Sequence, residues 1–301
     1  MLEIHGERHL RRISEMNIIA VIVLYNDATE EALSHVGKIA KQVNTLCLVD
    51  NSSTDNGELF RIIDNAVYIP LLANKGIAAA QNVGIDYAIS HQADFIYFAD
   101  PDSQVPDDAV DKLLASYQGL SEKNISVGGI GSMARDKTTQ KAYPLRSNLI
   151  REHKEWGVTE VGYIMNSSSL IPIKLFQTAG KMDERLFIDG VDCEFCWRAS
   201  YLHGYRFFIT PNVVIDHQLG MGSKKIGGKY RSLTPPFRMY YQYRNFLWLR
   251  HYPHTPRAWV KENRWRYLAK MVYYPLFKSP RLQYIKNIYK GIKDGIKNSD
   301  K

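Results

Sequence analysis

The stretch that decides the fold is residues 18–56, IIAVIVLYNDATEEALSHVGKIAKQVNTLCLVDNSSTDN. It begins with IIAVIVLY (18–25), an apolar run rich in β-branched residues, which is typical of a buried strand and too short for a helix. Residues 28–43 follow with apolar side chains at helical spacing, and LCLV (46–49) reads as a second strand. A strand, a helix and a strand in this order predict two parallel strands joined by a right-handed crossover.

The same alternation continues along the chain. We expect helices over about 57–65 and 76–90, and strands over 67–70 and 94–99. This pattern predicts an α/β protein with a mostly parallel sheet flanked by helices. Open sheets of this type bind their ligands beyond the carboxyl ends of the strands.

Length and composition predict a globular protein with one large domain and an appendage. The chain has 301 residues, of which 45% are apolar and 23% are charged. Its longest apolar runs fall well short of the roughly 20 residues that a membrane span needs. Because the first 16 residues are polar and lack the apolar segment of a signal peptide, we expect a cytoplasmic location.

The sequence lacks the motifs of several common binding sites for nucleotides and metals. Asn26 and Asp27 follow the first strand where a dinucleotide-binding protein has GxGxxG, and no Walker A pattern occurs. The chain has three cysteines, and Cys193 and Cys196 form a CxxC pair. Since no second pair exists to complete a zinc site, we interpret them as core-facing residues of a helix.

The charge is distributed unevenly. Residues 222–301 contain 19 Lys and Arg against three acids, whereas the whole chain has a net charge of only +8, so residues 1–221 are net acidic. A basic tail on an acidic body indicates an anionic surface as the partner of the tail. At the start of this basic part of the chain, residues 220–236 have the composition of a mobile, glycine-rich, basic loop that could close over a ligand.

Acidic residues end the fourth predicted strand. In FIYFADPDSQVP (95–106), Asp100 and Asp102 flank Pro101 directly after an apolar run. Two carboxylates in this arrangement can hold a divalent cation, which would neutralise a nucleotide diphosphate. The alternative is a solvated turn.

Two further segments offer polar groups near strand ends. Residues 50–55, DNSSTD, follow the second strand and could read the edge of a nucleobase, although Ser53 or Thr54 could instead cap a helix. NKGIAAAQNVG (74–84) opens a helix with small residues that allow close packing under a ligand, or it is an ordinary alanine-rich helix start.

A third acidic group occurs in FIDGVDCEFCWR (187–198). Asp192 and Glu194 lie about 200° apart on a helix, so they cannot act as a duplicated pair. One could be a general base, and the other a structural partner of Arg198. The alternative is a helix N-terminus that favours acids.

In this order and spacing, these motifs resemble the inverting family 2 glycosyltransferases, which have the GT-A fold. The resemblance covers roughly residues 17–250, with 1–16 as an N-terminal extension and 251–301 as a basic helical tail. FIDGVDCEFCWRA (187–199) and PPFRMYYQYRNFLWL (235–249) are most similar to bacterial rhamnosyltransferases that build O-antigens or cell-wall polysaccharides. The resemblance implies a dTDP-β-L-rhamnose donor and a lipid-diphosphate-linked glycan acceptor.

The resemblance also implies roles for individual residues. Asp192 would be the general base that takes the proton of the acceptor hydroxyl. Asp102, His217 and Asp100 would form the site of an Mg²⁺ or Mn²⁺ ion, although His217 could instead be a structural residue at a strand end. The nucleotide-sugar contacts would come from Tyr25, Asn26, Asp50, Asn51, Ser52, Asn74, Lys75, Gly76, Ala80, Asn82, Asp100 and Arg244.

The sequence departs from the family pattern in two places. Ser168 stands in the acceptor-side segment MNSSSLIP (165–172) where the family often has glycine, and Pro101 stiffens the acidic motif. Both departures concern contacts that the resemblance assigns to the acceptor and to the metal.

The tail suits a membrane surface. In RLQYIKNIYKGIKDGIK (281–297), Ile285, Ile288, Tyr289, Ile292 and Ile296 form one helical stripe, with four lysines beside it. This pattern favours a helix lying in an anionic membrane interface. A helix packed on the catalytic domain, or a dimer contact, is the alternative.

Three other functions are compatible with the same motifs. The same fold could use a UDP-hexose or a UDP-galactofuranose, or the chain could be a non-catalytic scaffold that binds sugar nucleotides. Nucleic acid is not expected as a partner, because acids at the ligand edge of the sheet oppose a phosphate backbone.

Overall fold

The computed structural model describes residues 16–137, 139–143, 145, 150–217, 223–226, 229–232 and 234–297, with the backbone alone at 217, 223–226 and 229–232. The strands are β1 (Ile18–Leu24), β2 (Thr45–Asp50), β3 (Ala66–Pro70), β4 (Phe95–Ala99), β5 (Val127–Asp136), β6 (Ile150–His153), β7 (Val158–Val161), β8 (Ser168–Pro172), β9 (Arg206–His217), β10 (Ser223–Ile226) and β11 (Lys229–Ser232). The α-helices are α1 (Glu30–Ala40), α2 (Gly57–Phe60), α3 (Ile77–Ser90), α4 (Ala109–Ser121), α5 (Ile173–Ala179), α6 (Val191–His203), α7 (Pro236–Leu249), α8 (Arg257–Phe277) and α9 (Arg281–Lys297).

Nine of these strands form one sheet in the order β3-β2-β1-β4-β8-β5-β9-β7-β6. The first four strands run parallel, as the strand–helix alternation predicts, and β8 pairs antiparallel with both β4 and β5. The α/β fold with a flanked, mostly parallel sheet is therefore confirmed. Among the described residues, none of the helices is both long and apolar enough to span a membrane.

Apolar side chains cover both faces of the sheet. Ala20 and Ile22 of β1 face a cluster that includes α1 and α4, whereas Ile19 and Val21 face a cluster that includes α3, α5 and α6. This alternation follows from the period of two along a strand, and it explains why the β1 sequence is apolar throughout. At Gly84 of α3, a Cβ would lie 2.3 Å from Val21 Cγ1, so the small residues of this helix do permit close packing.

Two local predictions are wrong in their extent. The second helix spans only Gly57–Phe60, because the chain must turn at once to enter the sheet at Ala66, which pairs with Leu46. Ser53 and Thr54 do not cap it: Asn56 occupies the N-cap and makes no side-chain capping bond.

The segment predicted as a loop over 220–236 contains the β10–β11 hairpin, and its other parts include residues outside those described.

The last two helices, α8 and α9, pack on α7. Met239 and Tyr243 of α7, Tyr274 of α8, and Tyr284 and Ile288 of α9 share one buried cluster. The predicted single apolar stripe on α9 is therefore split. Ile288 is buried against α7, whereas Ile285, Tyr289 and Ile296 are exposed, because the register of α9 on α7 is set by its glycines and by Tyr284.

Candidate functional site

The carboxyl ends of β1, β2 and β4 meet at one edge of the sheet, called here the ligand edge. Leu24 pairs with Asp50, and Ile22 pairs with Ala99, so Tyr25, Asp50 and Asp100 leave the sheet side by side. Parallel strands must end together in this way, and the predicted neighbourhood of these residues follows from it. Tyr25 is 48% exposed, which leaves its ring available to a ligand.

Asp50 is completely buried and held by three donors. Its carboxylate accepts hydrogen bonds from Tyr68 Oη at 2.6 Å, from Asn56 Nδ2 at 2.8 Å and from the Ser52 backbone N at 2.9 Å. Burial raises the pKa of Asp50, but these hydrogen bonds outweigh it and leave the pKa below its usual value. The result is a fixed, ionised acceptor at the ligand edge.

The loops after β1, β2 and β3 are tied together by amides. The Asn26 backbone N donates to Ser52 Oγ at 2.8 Å. Asn51 Oδ1 accepts from the Lys75 backbone N at 2.8 Å, and Asn51 Nδ2 donates to Asn74 Oδ1 at 3.1 Å. The Lys75 side chain is exposed above this network. The structure thus brings together five of the predicted donor-binding residues.

Gly76 connects the donor-side turn to the loop before α6. Its φ is +89°, and a Cβ there would lie 2.6 Å from the Phe187 ring and 2.8 Å from the Phe187 carbonyl oxygen. Only glycine fits both the left-handed backbone and this close approach. Ala80 and Asn82 lie beneath the turn: Ala80 is fully buried, and the Asn82 amide bonds both the carbonyl and the N–H of Met182. Their contact with a donor stays a prediction.

The acidic motif after β4 borders an open cleft of about 340 Å³. Asp100 is half-buried, Pro101 is buried and Asp102 is exposed. His35 Nδ1 lies 3.3 Å from the Pro101 carbonyl oxygen and supports the turn from α1. The cleft is lined by Asp27, Thr29, Glu31, Ala32, His35, Pro101, Asp102 and Lys137.

Asp27 is a residue that the sequence interpretation missed. Burial raises the pKa of Asp27, and the negative fields of Asp102 and Asp50 raise it further, against a hydrogen bond from the Tyr25 backbone N. Asp27 and Asp102 both line the cleft, and carboxylate oxygens are the hard ligands that Mg²⁺ and similar divalent cations prefer. The sequence offered a signal for it: Asp27 is an acid three residues past the end of β1, the strand that pairs with those ending before Asp100 and at Asp50.

The predicted third metal ligand lies at the end of β9. A backbone bridge joins Gln104 to Asp216, so the backbone of His217 runs beside the segment that follows Asp102. The His217 side chain lies outside the described part of the structure. Among the described residues, no three His, Cys, Asp or Glu side chains converge on a single metal position. The predicted metal roles of Asp100, Asp102 and His217 therefore stay predictions.

Asp192 lies in the first turn of α6, after Gly190 at the N-cap. It is half-buried, and its pKa is raised to about 7 by burial first, then by the negative charges of Asp100 and Asp189, against a hydrogen bond from the Asn166 backbone N–H. A carboxylate with a pKa near neutrality can both accept and release a proton. Asp192 therefore lies near enough to Asp100, at the ligand edge, for the charge of Asp100 to act on it.

The neighbouring acid has the structural role predicted for it. Glu194 is 2% exposed and pairs with Arg198, with 2.7 Å between Arg198 Nε and Glu194 Oε1. His254 Nε2 lies 3.0 Å from the same oxygen. Cys196 is buried as expected, Cys193 is half-buried, and burial raises the pKa of both thiols.

Helix α7 holds the loop of residues 185–190, which leads into α6. Asn245 Nδ2 donates to the carbonyl oxygens of Leu186, Ile188 and Asp189 at 2.8 to 2.9 Å. The Phe187 ring stacks on Tyr241, with 4.7 Å between the ring centroids. These contacts fix the start of α6 and hence the position of Asp192.

Arg244 belongs to the same arrangement. It is 9% exposed, and it donates to the carbonyl oxygens of Arg185 and Leu186 at 2.7 and 2.9 Å. Its guanidinium also lies 4.3 Å from the centroid of the Trp248 ring. The structure thus gives Arg244 a loop-holding role, and the predicted donor contact remains untested.

Comparison with known proteins identifies the family. The profile described as Glycosyl transferase family 2 matches residues 19–167. The chain is also 32% identical over 248 residues to a protein from Shigella flexneri named dTDP-rhamnosyl transferase RfbF, an alignment that covers 80% of this chain and 82% of that protein. The chain belongs to glycosyltransferase family 2.

Solved structures support the fold of this glycosyltransferase. S. aureus TarS 1-349 in complex with UDP-GlcNAc matches with a TM-score of 0.56 and 15% identity, covering 93% of this chain and 81% of that one. GalNAc-T7 with UDP, GalNAc and Mn²⁺ matches with a TM-score of 0.56 and 13% identity, covering 87% and 57%. At these identities the likeness shows the GT-A-like architecture alone.

Proposed function

We propose that this enzyme transfers L-rhamnose from dTDP-β-L-rhamnose, with inversion, to a hydroxyl of a lipid-diphosphate-linked glycan. The observation that supports the chemistry is Asp192, a half-buried carboxylate at the start of α6 whose pKa is raised to about 7 by burial and by the charge of Asp100. The likeness to the Shigella flexneri protein supports the choice of donor.

The residues that bind the nucleotide and remove the acceptor proton lie together at the ligand edge. The nucleotide lies along Tyr25, the loop that buried Asp50 holds in place, and the turn at Lys75, where the exposed ammonium of Lys75 approaches phosphate oxygens. Asp192 takes the proton of the acceptor hydroxyl as that oxygen attacks the anomeric carbon. The bond to the nucleotide diphosphate breaks on the opposite face of the sugar, which inverts the configuration.

A divalent cation fits the acidic cleft. Asp102, Asp100 and His217 would hold it, and it would supply positive charge to the departing diphosphate. The support from this chain is that Asp27 and Asp102 both line the cleft, where the charge of Asp102 adds to burial in raising the pKa of Asp27. Mg²⁺ and Mn²⁺ both suit carboxylate ligands.

The experiment that tests this proposal measures the release of nucleotide diphosphate from dTDP-rhamnose and from a panel of UDP-sugars. A bacterial membrane-lipid extract supplies the acceptor, with Mg²⁺, Mn²⁺ or EDTA. We expect release with dTDP-rhamnose and metal, and its loss in Asp192→Asn and Asp102→Asn, with Asp107→Asn as an exposed control. Release from a UDP-sugar alone would contradict the donor assignment, and binding of nucleotide without any release would favour the scaffold.

We also propose that α8 and α9 dock on an anionic membrane, where a lipid-linked acceptor lies. Of the 18 large apolar side chains that are exposed in the described structure, ten belong to these two helices. Leu276, Phe277 and Leu282 cluster at the turn between the helices and are 56%, 67% and 81% exposed. Residues 257–297 contain 11 Lys and Arg against two acids. Apolar side chains flanked by cations are the features of an interfacial helix.

Vesicle binding tests the membrane proposal. We expect Phe277→Ser combined with Leu282→Ser to weaken binding to phosphatidylglycerol-containing vesicles at least tenfold, and high salt to weaken it further. The matched control is Ile62→Ser, which removes a 72% exposed apolar side chain from the catalytic domain. Equal binding by the double variant and the control would exclude this corner as the anchor.

A further inference from the structure

One buried amide beside the proposed base has no protein partner. Asn166 is 7% exposed, and its Nδ2 makes no hydrogen bond to any described residue. Its Oδ1 lies within reach of Ser169 Oγ at 3.4 Å. Buried side-chain donors are nearly always paired, so an unpaired one inside a binding site indicates a group that a ligand completes.

The sheet places this amide at the ligand edge. Strand β8 pairs antiparallel with β4, and Ser168 lies opposite Ala99, the last residue of β4. The residues just before Ser168 therefore leave the sheet beside Asp100. In the same turn, the Asn166 backbone N–H hydrogen-bonds to the Asp192 carboxylate. Asn166 thus touches the proposed base through its backbone and retains an unused donor in its side chain.

The neighbouring serine cannot supply this function. Ser168 is 2% exposed, and its hydroxyl bonds Tyr97 Oη at 2.9 Å and Ser132 Oγ at 2.6 Å. Its hydrogen-bonding capacity is used inside the sheet. In this turn, the Asn166 amide nitrogen is a buried donor that no described residue pairs.

We propose that Asn166 Nδ2 donates a hydrogen bond to the acceptor hydroxyl whose proton Asp192 removes. A hydroxyl has one donor and two acceptor positions, whereas an ionised carboxylate only accepts and an amide nitrogen only donates. With its lone pair toward Asn166 and its proton toward Asp192, the acceptor oxygen keeps its remaining lone pair for the anomeric carbon. The inference rests on the proposed function and identifies Asn166 as a residue that positions the acceptor.

Asn166→Ala tests this proposal because it deletes the amide and keeps the backbone N–H that bonds Asp192. Two rates are compared with wild type: transfer to the lipid extract, and slow release of nucleotide diphosphate to water. We expect kcat/KM for the acceptor to fall 10- to 100-fold, while the donor KM and the hydrolysis rate stay within twofold. Unchanged transfer would overturn the proposal. An equal loss of transfer, hydrolysis and donor affinity would instead assign the amide to the transferred sugar, which also overturns it.

Thermal unfolding without substrate gives a readout that does not depend on activity. The control is Asn263→Ala, since Asn263 is 4% exposed and its amide is paired with Trp259 O and Arg266 Nη1. We expect Asn263→Ala to lower the Tm and Asn166→Ala to leave it unchanged or raised, because an unpaired amide is removed. A loss of Tm as large as that of the control would show that the Asn166 amide is satisfied within the protein. If the wild-type enzyme released nucleotide from none of the donors, the proposed function would be contradicted. The comparison of Tm values between Asn166→Ala and Asn263→Ala would still be valid.

Discussion

Arg238 on α7 donates two hydrogen bonds to Asp189, with 2.6 Å and 3.1 Å between guanidinium nitrogens and carboxylate oxygens. Asp189 has a φ of +68° and stands three residues before Asp192. A non-glycine residue in the left-handed region is held there by its surroundings. The ion pair therefore links the C-terminal helices to the residue proposed as the base.

Arg238→Lys should lower kcat about 10- to 100-fold and leave donor affinity within twofold, because lysine cannot make the two-bond contact that fixes the loop. The substitution also leaves the Asp189 charge less well paired, and that charge already raises the pKa of Asp192. The acidic limb of the pH–rate profile should therefore move to higher pH. Arg250→Lys, at an exposed position, is the control. An unshifted profile with unchanged kcat would contradict the link.

Asp192→Asn should stabilise the fold at pH 8 in EDTA. The folded-state pKa of Asp192 is about 7, above the unfolded value of 3.8. Between pH 3.8 and pH 7, Asp192 is ionised in the unfolded chain but keeps its proton in the folded chain. The free energy of unfolding therefore falls as the pH rises through this range, and the destabilisation is complete above pH 7. The gain should be at most a few kcal/mol at pH 8 and absent below pH 4.

Melting curves of both proteins from pH 4 to pH 8 measure this difference. Asp107→Asn, at an exposed site, serves as the control and should show little change. Mg²⁺ should reduce the gain, since a cation offsets the field of Asp100. A gain that is constant with pH would argue against the raised pKa.

Tyr68→Phe should weaken binding of the nucleotide diphosphate. The phenol donates the shortest hydrogen bond to Asp50, 2.6 Å long, and a hydrogen bond to a charged group is worth about 1.5–3 kcal/mol. We expect a several-fold rise in Kd by calorimetry and a lower Tm, with kcat little changed at saturating donor. Tyr201→Phe removes a hydroxyl from a 61% exposed ring and is the matched control. If Tyr68→Phe bound the nucleotide diphosphate with wild-type affinity, the hydrogen bond from Tyr68 to Asp50 would not contribute to nucleotide binding.

Gly291→Ala should destabilise the packing of α9 on α7. A Cβ at Gly291 would lie 2.4 Å from the Tyr240 backbone oxygen, and backbone cannot move aside as a flexible side chain can. We expect a loss of about 1–3 kcal/mol, typical of overpacking. Gly119→Ala in α4 is the control, because a Cβ there meets nothing within 4 Å and alanine should stabilise that helix by up to about 1 kcal/mol. Equal Tm values for the two variants would disprove the close contact.

The sequence interpretation was most accurate where the structure depends on local pattern. The apolar runs that became β1, β2 and β4 are mostly buried, and their ends bring Asp50 and Asp100 together as expected. The predictions were less accurate where a contact between distant residues decided the outcome. Strand pairing at Ala66 shortened α2, and packing on α7 divided the apolar stripe of α9.

By itself, the sequence determined the α/β class, the ligand edge and the order of the family motifs, because strand burial and motif spacing are properties of short segments. Tertiary structure alone decided that Asp192 has a pKa near neutrality, that Asp27 joins the acidic cleft and that Asn166 holds an unpaired amide beside the base. Each of these depends on burial and on charges contributed by residues far apart in the chain. Desolvation and electrostatic fields arise only when the fold brings such groups together.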